Sequence, residues 1–175
     1  MMWLNSIISA LPGALISGAV ISSIFNWQLN QRRLQLQTTF ELHREWNGES
    51  LRLSRNLGDK FLLAHPNKDL IQIDNDGSVN PEDSVHLWII IGFYQRLWIL
   101  IKYHQVNEGL IPELFGESFI WWYKNCFHER LIPAKYESSK QISDLNNWIE
   151  QNSEKSHLEQ WNFVAEEDMK KRISG

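Results

Sequence analysis

The sequence predicts an all-α protein in which an N-terminal transmembrane helix, residues 1–28, continues into a cytoplasmic helical bundle, residues 29–175. Three observations predict it. No charged side chain occurs before the adjacent pair Arg32 and Arg33. Apolar residues then recur at helical spacing, in stretches divided by glycine and proline. Strand-like alternation is confined to the short run Leu70-Ile71-Gln72-Ile73.

From Trp3 to Phe25 the residues are mostly apolar or small, and about 20 such residues at ~1.5 Å each cross a ~30 Å hydrocarbon layer. Nothing basic precedes this run, which argues against a cleaved signal peptide. The arginine pair on its C-terminal flank places the remainder of the chain in the cytoplasm, so the expected location is the bacterial inner membrane in a single pass. On a helical wheel Asn5, Ser6, Ser9, Ala10, Gly13 and Ser17 share one arc, and Trp3, Leu4, Ile7, Ile8, Leu11 and Leu15 share the opposite one. A helix alone in lipid has no reason to sort its residues this way. The face of Asn5, Ser9, Gly13 and Ser17 suits a pore lining. Ser6, Ala10, Ala14, Gly18 and Ser22 form a ladder of small side chains that lets helices approach closely. The expected partners are therefore the lipid bilayer and other copies of this chain, in a closed ring. Pro12 would loosen the first half, which neighbouring helices can compensate.

After the anchor, Asn26 to Trp46 reads as the same helix, with Leu29, Leu36 and His43 seven apart as a seam for its own domain or for neighbouring copies. Asn47-Gly48 interrupts it, and Glu49 to Ala64 resumes through Leu53, Leu57 and Phe61 until His65-Pro66. Residues 67–80, NKDLIQIDNDGSVN, read as a polar loop in which Asp74 to Gly77 is a turn, because its glycine and glutamate are misplaced for calcium. Asn80-Pro81-Glu82-Asp83 is a helix start. The following VHLWIIIGFYQRLWILIKYH is the most hydrophobic stretch outside the anchor. Gln95 and Arg96 interrupt it, so a buried central helix is expected rather than a second crossing. Pro112 to Arg130 and Asp144 to Arg172 are expected to form one helix each. In the first of these, adjacent Trp121 and Trp122 cannot share one core, so one is expected to meet a neighbouring subunit or the loop.

Composition narrows the function. A net charge of −4 and a pI near 5.9 argue against a general nucleic-acid coat. One cysteine, Cys126, leaves no internal disulfide and fits a reducing compartment. Nine tryptophans imply large buried contacts within or between subunits. No phosphate-binding glycine loop, nucleophile elbow, H-E-x-x-H or paired C-x-x-C is present, and the six histidines lack metal-ligand spacing, so no cofactor or metal is expected. Small helical nucleases of the HEPN type place an arginine and a histidine four to six residues apart; here the nearest match is Asn152 and His157, with asparagine in place of arginine. Asparagine brings no charge to a phosphate, which argues against enzymatic activity.

With its uncharged anchor MMWLNSIISALPGALISGAVISSIFNW, its arginine pair and the Asn152–His157 spacing, the chain resembles the small membrane-associated, HEPN-like accessory proteins of type VI-B CRISPR systems. The resemblance implies a HEPN-like bundle, a role in antiviral defence beside an RNA-guided RNA-cleaving effector, and assembly into a pore that permeabilises or depolarises the membrane. It also implies the CRISPR effector or RNA as partners. The alternatives from the residues are a membrane-tethered ribonuclease using His157, with Asn152 positioning phosphate, and a passive tether for a partner protein.

Overall fold

A computed structural model describes the backbone of residues 2–65, 72, 81–131 and 136–174, and the side chains of 20–65, 72, 84–127 and 136–171. Among them six α-helices and no strand are found: α1 Met2–Asn47, α2 Glu49–Ala64, α3 Pro81–Lys102, α4 Ile111–Trp122, α5 Glu137–Asn152 and α6 Lys155–Ser174. A 3-10 turn, Glu108–Leu110, leads into α4, and a π-helical segment, Tyr123–Leu131, follows it. The polar loop, the turn at Asp74 to Gly77, the alternating run Leu70–Ile73 (Gln72 apart) and the cap Asn80 lie outside the described residues.

The hydrophobic stretch after Asn80 is the centre of the bundle, as its composition requires. Leu87, Ile90, Ile91, Tyr94 and Leu97 of α3 are fully buried. α2 packs on one side of α3 and α5 on another, while α4 carries α6 and the π segment. This same stretch, Ser84–Lys102, is the one helix among the described residues long and apolar enough to cross a membrane, and 44% of that window is buried within the protein. The burial comes from its helical neighbours on the bundle side. Tyr94 is enclosed by Trp46, Phe93, Phe119 and Phe127, and its hydroxyl lies 3.3 Å from Ser118 Oγ. Burial pushes the Tyr94 phenol far above its usual pKa, so the group stays neutral.

α1 is a single rod of 46 residues, ~69 Å at ~1.5 Å per residue, with no break at 28–29. Among its described side chains, Thr39, Leu42 and Trp46, all in the C-terminal part, are the ones buried against the bundle. The face used on its own bundle differs from the Leu29, Leu36 and His43 seam: Leu29 and Leu36 are exposed, which leaves them to the other expected use between copies, and His43 is only half-buried, edge-on to Phe115. The difference has a polar cause. Thr39 Oγ1 accepts the Asn107 backbone N–H at 2.8 Å and donates to the Gln35 carbonyl at 2.7 Å. Gln35 Nε2 donates to the His104 carbonyl at 2.8 Å. α1 is therefore fastened to the turn after α3 by hydrogen bonds that a hydrophobic pattern does not register. In that turn His104 adopts φ 53°, with the Gln105 N–H on Leu100 O and the His104 N–H on Ile101 O, the bonding of a Schellman cap.

Two expected helices are divided. The helix expected from Pro112 to Arg130 is α-helical only to Trp122, after which the main chain changes to i→i+5 bonding. The helix expected from Asp144 to Arg172 begins earlier, at Glu137, and breaks after Asn152. Asn152 Nδ2 donates back to Trp148 O at 2.8 Å and Ser153 Oγ to Ile149 O at 2.6 Å, while Ser153 is extended at φ −100°, ψ 151°. Such short polar side chains compete with the helical backbone and end the helix. The two tryptophans of α4 are both used inside this chain. Trp122 is buried, and half-buried Trp121 donates its indole N–H to Asp168 Oδ2 of α6 at 3.1 Å.

Candidate functional site

Two regions carry the features that the fold does not consume: the projecting part of α1, and a cleft where α1, α2, α4 and α6 meet.

The backbone of α1 places Asn5, Ser9, Gly13 and Ser17, and Ser6, Ala10, Ala14 and Gly18, on one continuous helix; their side chains lie outside the described ones. Ser22, Arg32 and Arg33 are exposed. From Val20 to Leu34 every α1 side chain is exposed, the apolar Ile21, Phe25 and Trp27 each by 60% or more. By helical phase, Phe25, Leu29, Leu36 and Phe40 fall on one side of the rod and Val20, Ile24, Trp27 and Leu34 on the other. The arc that Thr39, Leu42 and Trp46 present to the bundle falls between the two stripes, with Ile24 in line with Leu42.

The break after Asn152 decides the geometry of the predicted catalytic pair. Asn152 ends α5 and His157 stands in the first turn of α6, both exposed. The His157 ring stacks on Trp161 at 5.7 Å between centroids, and no hydrogen bond joins His157 to Asn152. Neighbouring Lys155 pairs with Glu159. Among the described residues, no group of three histidine, cysteine or acidic side chains could hold a metal.

The cleft holds about 540 Å³. Trp46 at the end of α1, Trp121 and Trp122 of α4 and Trp161 of α6 bring four of the nine tryptophans to its lining. The Arg55 guanidinium of α2 lies 4.2 Å from the centre of the Trp46 ring, a cation–π contact, and burial lowers its pKa from the ordinary value. Asp59 of α2, Glu113 and Glu117 of α4, and Asp168 of α6 put four carboxylates in the lining of the same cleft. The close approach of α4 and α6 depends on Gly116, where a Cβ would stand 2.4 Å from Trp161 Cη2. Outside the cleft, Lys124 bonds Glu166 at 2.9 Å and holds that exposed carboxyl below its usual pKa, a tie between the π segment and α6.

Sequence reasoning missed this cleft. Its tryptophans and acids come from four helices far apart in the chain, and the only advance signal was the tryptophan count.

Comparison with known protein families, curated proteins and solved structures finds no match. The described residues form an all-helical bundle carried on a long N-terminal helix.

Proposed function

We propose that this chain is a membrane-anchored, self-associating effector of antiviral defence. In this reading its N-terminal helices line a pore through the bacterial inner membrane, with the bundle cytoplasmic and HEPN-like. The pore would permeabilise or depolarise the membrane and so enhance an RNA-guided RNA-cleaving effector, as the resemblance to type VI-B accessory proteins implies.

The observation that supports it best is the exposure of apolar side chains on both sides of α1 beyond the span. If Trp3 to Phe25 fills the hydrocarbon layer, Trp27 sits at the interface, and Phe40 stands about 20 Å further along the rod. Leu34, Leu36 and Phe40 would then lie in water, uncovered by the bundle, at 56%, 37% and 50% exposure. Two opposed stripes let each copy sit between two neighbours, the head-to-tail contact from which rings are built. Association within lipid gains little from apolar burial, so this aqueous stretch is where assembly gains its free energy.

The test is flux through reconstituted vesicles. Ser9→Leu or Gly13→Leu should abolish permeability while insertion persists, and replacing residues 1–28 by an unrelated membrane helix should also abolish it. Wild-type flux from these variants, or a monomeric mass for the detergent-solubilised particle, would reject the reading.

A further inference from the structure

We propose that the four-helix cleft is a binding site for a small organic polycation of the polyamine class, a flexible alkyl chain carrying two or more ammonium groups. This is independent of whether α1 lines a channel.

Volume, walls and charge point the same way. About 540 Å³ falls within the range of small-molecule pockets and exceeds what a ten-atom amine needs. Four indoles form part of the walls, Trp121 half-buried and Trp46, Trp122 and Trp161 buried; indole faces attract cations and their apolar area accommodates methylene segments. The cleft already holds one such pair in the Arg55 guanidinium over Trp46. The carboxylates of the cleft are distributed on three helices, so separate ammonium groups on one chain could each meet an acid. Glu113 and Glu117 are exposed and form no ion pair among the described residues. Asp168 is already aimed by the Trp121 N–H, with Lys171 at 4.0 Å. An anionic ligand or a nucleotide phosphate would meet four like charges for one guanidinium, and an uncharged apolar ligand would leave the acids unused. A bare divalent cation would leave the indoles unused.

Calorimetric titration of the full chain in uncharged maltoside micelles with spermidine tests this; a choline-type detergent would itself compete. Saturable binding of one spermidine per chain is expected, with magnesium chloride of equal ionic strength failing to displace it. Neutralising the exposed pair, Glu113→Gln with Glu117→Gln, should weaken binding about three- to tenfold. Neutralising Glu49 and Glu159, both exposed and away from the cleft, should leave it unchanged. Arg55→Gln should tighten spermidine binding, because it removes the one like charge, whereas an anion site would lose affinity. The proposal is overturned by any of three results: no saturable binding up to millimolar spermidine, equal loss in both double variants, or binding of inorganic phosphate that Arg55→Gln abolishes.

Discussion

Replacing Gly116 with alanine should destabilise the bundle, and the same replacement at Gly92 should stabilise it. At Gly116 the new methyl would stand 2.4 Å and 2.5 Å from Trp161 Cη2 and Cζ3. Ordinary carbon contacts are about 3.5–4.0 Å, so the indole must retreat by roughly 1 Å. Trp161 is buried and stacked on His157, which makes the retreat an overpacking defect costing about 1–3 kcal/mol. Alanine recovers about 1 kcal/mol of helix propensity, leaving a net loss of about 1 kcal/mol. Gly92 sits on the exposed side of α3 with nothing within 4 Å of its added carbon, so alanine there keeps the full gain. Gly58 lies between them: its Cβ would meet Leu87 Cδ2 at 3.0 Å and Ile90 Cδ1 at 3.2 Å, methyl groups at the ends of flexible chains, and the two effects nearly cancel. Thermal melts of the full chain in maltoside micelles, followed by intrinsic tryptophan fluorescence, should place Gly92→Ala a few degrees above wild type and Gly116→Ala a few below. A Tm for Gly116→Ala equal to that for Gly92→Ala would refute the packing of Trp161 on α4.

Thr39→Val keeps the shape of a buried side chain but leaves the Asn107 N–H without its acceptor, and should cost about 1–3 kcal/mol in the same melt. Leu36→Glu with Phe40→Glu changes only exposed α1 side chains. It should leave the melt unchanged while reducing the particle mass, measured by light scattering, towards one copy; an unchanged mass would show that this stripe is not used in assembly.

The parts of the fold that depend on hydrophobic content and on glycine or proline were legible in the sequence. The α1–α2 break at Asn47-Gly48 and the burial of α3 follow from those signals. What the pattern hid was decided by polar atoms and by main-chain geometry. Thr39, the most deeply buried α1 residue, is polar, while the more apolar Leu29, Leu36 and Phe40 stay exposed. The break after Asn152 arises from two side chains bonding backwards along their own helix. The change to π bonding at Tyr123 alters main-chain register without altering the spacing of apolar residues. Of the candidate sites, the α1 polar arc is a periodicity of the sequence whose side chains lie outside the described ones, whereas the cleft required four helices to be placed in space first.

α1 passes from its first turn to the core without a joint, and the bonds from Gln35 and Thr39 clamp its far end to the corner after α3. Such a shaft converts rotation of the globular part into rotation of its N-terminal end, about the same axis and through nearly the same angle. An agent that twists the bundle from outside would need no further machinery to turn whatever the first turns of α1 meet.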